Sequence, residues 1–86
     1  MLTQKEEYIE YLNFSLQESF KGNEVSFLMA LRDVVRAQGG FALLAKRTGL
    51  GRESLYKALS SAGNPNWSTM LLILKHLNLK LTINLD

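Results

Sequence analysis

Arg52, Glu53, Tyr56 and Lys57 stand close together in the stretch "AKRTGLGRESLYKAL" (45–59). Their spacing puts them on one side of a short helix whose other side carries Leu55 and Leu59. An arginine can donate a bidentate pair to guanine O6 and N7, and a glutamate can accept from cytosine N4. A tyrosine hydroxyl and a lysine ammonium one turn further on can reach phosphate or a base edge. Phosphates repel a carboxylate, so Glu53 suits a base edge, or the orienting of Arg52, better than the backbone. Lys46, Arg47 and Ser54 are placed for contacts to phosphate, which fix register and carry little sequence information. Ser60, Asn64 and Asn66 can donate to phosphate near the following loop. The same charges also suit an ordinary solvated face of an all-α protein.

Other chemistry finds few residues to carry it. His76 is the single histidine and cysteine is absent, so a thiolate or histidine metal cluster cannot be assembled. No nucleophile–base–acid set can be built around one histidine at a helix end, and His76 reads as a surface residue. Gly39-Gly40 and Gly49-Leu50-Gly51 are not phosphate loops, because no strand precedes either. The expectation is a protein that is not an enzyme and takes neither cofactor nor metal.

The chain has 86 residues, room for one compact domain spanning 1–86. A core this small is marginal, and with disulfides and metals set aside a partner subunit is the remaining support. The N-terminus, "MLTQKEEYIEYL", lacks an apolar targeting region, and no run approaches the roughly 18 apolar residues of a membrane span. A cytoplasmic location without a membrane partner is expected. The net charge of +2 is unevenly spread. Residues 1–31 hold Lys5 and Lys21 against Glu6, Glu7, Glu10, Glu18 and Glu24, a net −3. Residues 32–80 hold Arg32, Arg36, Lys46, Arg47, Arg52, Lys57, Lys75 and Lys80 against Asp33 and Glu53, a net +6. A basic middle suits a polyanion. An acidic front suits a basic partner or a solvated helix face.

The elements that must position these side chains can be read from periodicity. Thr3 to Glu6 fits a capping box, and Ile9, Leu12, Leu16 and Phe20 make an apolar stripe, predicting a helix over about 4–20 that stops at Lys21-Gly22. Asn23 is expected to cap a second helix over about 24–37, with Val25, Leu28, Leu31, Val34 and Val35 inward. A short helix over 41–48, with Leu44 and Ala45 inward, leads through Gly49-Leu50-Gly51 into a helix over 52–59. Helix, tight glycine turn and helix over 41–60 form a helix-turn-helix signature. Ser60 to Pro65 reads as a loop, and Asn66 caps a fifth helix with Trp67, Met70, Leu71, Leu74 and Leu77 inward. In 79–85 the period changes to two: Leu79, Leu81, Ile83 and Leu85 alternate with polar residues. That predicts a C-terminal strand whose bare edge pairs with the same strand of a second copy, or else a frayed tail.

The stretch "AKRTGLGRESLYKALSSAGNPNWSTMLLILKHLNLKL" closely resembles the probable addiction-module antidote proteins, HigA-like antitoxins of the Xre/Cro helix-turn-helix class. The shared features are Ala45, Gly49, Arg52 through Ser60, Gly63-Asn64-Pro65 and Leu79-Lys80-Leu81, with "YLNFSL" (11–16) and "LRDVVRAQGG" (31–40) upstream. The resemblance covers about 8–83. It implies an all-α, five-helix, lambda-repressor-like domain acting as a homodimer. It further implies an antitoxin that neutralises a small basic toxin of the RelE superfamily, an mRNA interferase. The same protein would repress its own operon at a palindromic double-stranded operator, with base contacts at Arg52, Glu53, Tyr56 and Lys57. A stand-alone prophage-type repressor, or a protein–protein adaptor using the same surface, are the alternatives. Gly51 departs from the serine cap usual in the family, Trp67 from the usual phenylalanine, and the acidic segment many members carry ahead of Tyr8 is short here.

Overall fold

The computed structural model describes residues 5–85, so the expected Thr3 cap lies outside the described residues. Within them the chain is all-helical, with five helices: α1 (Lys5–Phe20), α2 (Ser26–Ala37), α3 (Phe41–Thr48), α4 (Arg52–Ala58) and α5 (Trp67–His76). The element order matches the sequence expectation, with ends differing by a residue or two. Among the described residues no helix is long and apolar enough to cross a membrane.

Three helices end in the same way. The N–H two residues past the cap returns to a carbonyl in the last turn: Asn23 to Glu18, Gly40 to Val35 and Leu79 to Leu74. This closure needs a positive φ at the residue between, and Gly22, Gly39 and Asn78 supply it. α2 begins without the local cap expected of Asn23. Its N-cap position is Val25, and no side chain caps it locally. Instead Ser19 of α1 accepts from the Phe27 N–H at 3.0 Å. A second bond ties the same two helices, from the Tyr11 hydroxyl to the Asp33 carboxylate at 2.5 Å. The two bonds are nested in sequence, so α1 and α2 form an antiparallel hairpin. The hydrogen bond to Asp33, with some burial and the carboxylate's charge, pushes the Tyr11 pKa up to about 12.

Leu31, Val34, Leu55, Leu59 and Ile73 form the centre of the core, with α3 packed against both α4 and α5. Two expected stripes are rotated. In α1 the inward residues are Tyr8, Leu12 and Ser15 with Leu16 partly covered, while Ile9 and Phe20 are exposed. Ser15 tolerates burial because its hydroxyl donates to the Tyr11 carbonyl at 2.8 Å. In α5, Ile73, Leu74 and Leu77 point inward, whereas Trp67 is 63% exposed and Leu71 is also outside. Asn66 caps the helix, its side chain accepting from the Thr69 N–H at 2.8 Å, which makes Trp67 the first residue of α5.

The expected C-terminal strand does not form. Residues 79–85 carry no regular structure, and among the described residues there is no strand. A strand needs a hydrogen-bonded neighbour, and a single chain offers this segment none. Leu79 packs on the chain's own core, while Leu81, Ile83 and Leu85 are exposed. With Leu16, Phe20, Trp67 and Leu71 they line a broad apolar groove.

Candidate functional site

The geometry of α4 follows from the turn before it. α3 stops at Gly49, whose N–H bonds the Ala45 carbonyl at 2.9 Å while its φ of 77° reverses the chain. Few residues other than glycine hold that conformation without strain. Thr48 locks the turn: its hydroxyl donates to the Leu44 carbonyl at 2.9 Å and accepts from the Leu50 N–H at 3.2 Å. Gly51 is the N-cap of α4, extended, with no side-chain capping bond, as the missing serine leads one to expect. Leu55 and Leu59 then anchor the helix in the core.

With that face held in, Arg52, Glu53, Ser54, Tyr56 and Lys57 are all exposed. Arg52, Glu53, Tyr56 and Lys57 line one shallow concavity on the surface. The four side chains singled out by spacing are therefore brought together. Lys46 and Arg47 are exposed on the last turn of α3, and Asn64 is exposed in the following loop, all outside that concavity. Ser60 is engaged locally: its hydroxyl donates to the Lys57 carbonyl at 2.7 Å. Asn66 has its carbonyl oxygen occupied by the cap of α5.

Tyr56 differs from the sequence expectation. Its hydroxyl is turned back onto α2, where it accepts from Arg32 and, at 3.0 Å, from Arg36. The Arg32 guanidinium lies over the ring, 4.3 Å from its centroid, and the ring meets Phe41 at 5.0 Å in a tilted pair. The positive charge of Arg32, and then that of Arg36, holds the Tyr56 pKa below the ordinary value of a tyrosine. Arg32 and Arg36 are thus part of this surface, though only their charge, and not their place, was noted from sequence. The available signal was their spacing: two arginines four apart share one face of a helix.

A model of the family described as "Probable addiction module antidote protein" matches residues 1–85. A protein of Haemophilus influenzae Rd, described as uncharacterized, is 43% identical over 82 residues, covering 95% of this chain and 80% of its own. No solved structure gives a significant match.

Proposed function

The chain belongs to the family of probable addiction module antidote proteins, and from that premise we propose that it is a DNA-binding antitoxin that represses its own operon. An antidote implies a toxin, and here the expected partner is a small basic toxin of the RelE superfamily. The acidic exposed residues of α1, Glu6, Glu7 and Glu10, suit such a partner. The observation that carries the DNA reading is the exposed row of Arg52, Glu53 and Lys57 on a helix pinned from behind by Leu55 and Leu59. The N-terminal end of such a helix is the end that enters the major groove in helix-turn-helix proteins. α3, the glycine turn and α4 are read as that motif.

The active species is a homodimer. The exposed Leu81, Ile83 and Leu85 and the groove beside them give a second copy an apolar surface to cover. A two-fold dimer would set its α4 helices about 34 Å apart, one DNA turn, and so read a palindrome.

The test is binding of the full-length protein to duplexes tiled across the DNA upstream of its own gene, against a random duplex. Arg52→Ala should cost about 1–3 kcal/mol on the preferred site and relax its preference at one base pair. Lys46→Ala should weaken preferred and random DNA alike. Equal loss on both duplexes for Arg52→Ala removes the base-reading role. Co-expression with the product of the adjacent gene tests the toxin arm, which fails if no complex co-purifies.

A further inference from the structure

Arg32 and Arg36 both donate to one phenol oxygen, Tyr56, although like charges four apart on a helix repel each other. Neither has a carboxylate to offset it. Among the described residues the sole ion pair joins Lys21 and Glu18, at 3.3 Å. Asp33, next to Arg32 in sequence, is turned the other way and accepts from Tyr11. The Arg32 Nε is buried without a hydrogen-bond partner, so the guanidinium is held in place by packing on the Tyr56 ring. The phenol oxygen accepts from both arginines, which leaves its own proton free to be donated. Two guanidinium groups and one hydroxyl with its proton still to donate match the donors that a phosphate monoanion accepts from.

We propose that Arg32, Arg36 and Tyr56 form a clamp for a backbone phosphate of duplex DNA, extending the DNA-binding surface from α4 onto α2. The inference rests on the DNA-binding reading above. It assigns Tyr56 to phosphate rather than to a base edge, because its hydroxyl oxygen is engaged by Arg32 and Arg36 of α2. The clamp fixes how α4 is seated in the groove and carries no sequence information itself.

The experiment measures affinity of the full-length protein for a fluorescein-labelled random-sequence duplex between 50 and 200 mM KCl, concentrations over which phosphate contacts are strongly screened. Each phosphate contact adds about 0.9 to the slope of log affinity against log salt. The clamp neutralises one phosphate, so Arg32→Gln with Arg36→Gln should lower that slope by about 0.9, and Arg36→Gln alone by part of that, with sequence preference unchanged. Arg36→Lys keeps the charge and should restore the slope. Tyr56→Phe should lower affinity on every sequence equally. Arg36 is exposed, so Arg36→Gln should melt with the wild type. An unchanged slope in Arg36→Gln, where Lys46→Ala does flatten it, overturns the clamp and leaves the DNA reading standing. A wild type that binds no duplex overturns both.

Discussion

Gly63 presents the sharpest steric test of how α4 is held. Its φ is not in the left-handed region, so glycine is not required there for backbone freedom. It is required for space. A Cβ at 63 would lie 2.8 Å from the Ala58 carbonyl carbon and 2.9 Å from the Lys57 carbonyl oxygen, and closer still to the Ala58 oxygen. These are main-chain atoms at the end of α4, and no rotamer change can move them aside. Forcing a methyl group into packed space costs about 1–3 kcal/mol, and a rigid backbone neighbour places Gly63→Ala near the upper end. A domain of this size has on the order of 4–13 kcal/mol of stability, so the variant should still fold. At about 4–8 °C per kcal/mol, the thermal midpoint should fall by roughly 12–24 °C for a 3 kcal/mol loss. Gly51→Ala, at the other end of the same helix, is the control. There the added Cβ meets only the Ser54 hydroxyl at 3.5 Å, and the φ of −66° suits any residue. That variant should lose only about 1 kcal/mol, the ordinary cost of alanine in place of a better N-cap residue. The readout is thermal unfolding followed by circular dichroism, with operator binding measured alongside. A Gly63→Ala protein that melts within about 4 °C of wild type would show that the 60–65 loop has slack and does not brace α4.

Further outcomes can be checked cheaply. The two bonded tyrosines should ionise on opposite sides of the ordinary value of 10. Tyr56, lowered by Arg32 and Arg36, goes first, and Tyr11, raised by Asp33, only near 12. Because the folded-state pKa of Tyr11 lies above the unfolded one, its bond to Asp33 stabilises fully below pH 10, and that contribution is lost between pH 10 and 12. The sign for Tyr56 is the reverse, so its ionisation favours the fold as pH rises. A tyrosinate absorbance titration should lose its low-pH component in Tyr56→Phe and its high-pH component in Tyr11→Phe. For the proposed dimer, Ile83 is 98% exposed in the single chain, so Ile83→Asp should leave the monomer's fold intact and abolish association in sedimentation velocity. In the wild type the exposed Trp67 emission should shift to the red on dilution, and a wild type that sediments as a monomer refutes the covered groove.

The helix order and the outward face of α4 were legible because glycine turns and polar caps are local signals. Gly22, Gly39, Gly49 and Asn66 act where periodicity placed them. What could not be read was which of two apolar stripes on α1 faces in. Ile9 and Phe20 are more apolar than Ser15 and Ser19, yet Ser19 lies toward α2 because its hydroxyl accepts from the Phe27 N–H, and Ser15 is buried with its hydroxyl satisfied by the Tyr11 carbonyl of its own helix. The Phe27 N–H becomes a partner of Ser19 only once the hairpin has formed. Ile73 was passed over in α5 for the same reason, since Trp67 and Leu71 make an equally apolar stripe one step round the helix. The tail's alternation is real, but alternation specifies a face and not a hydrogen-bonded neighbour, so no strand follows in one chain. The clamp was hidden because Tyr56 reads as an outward residue of α4, and its pairing with α2 spans 20 and 24 residues of sequence.

The charge asymmetry along the chain becomes an asymmetry in space through two neighbouring residues of α2. Adjacent positions on a helix point about 100° apart, whereas positions four apart share a face. Asp33 can therefore turn to α1 while Arg32 and Arg36 turn together to α4. Each side is held by a tyrosine from a different helix: Tyr11 donates to Asp33, and Tyr56 accepts from both arginines. Had Asp33 stood on the arginine face, it would have offset one of the two guanidinium charges. Because it does not, α2 carries its acid toward α1 and its bases toward α4. That division leaves two guanidinium groups together with no carboxylate paired to them among the described residues, in a chain of net charge only +2.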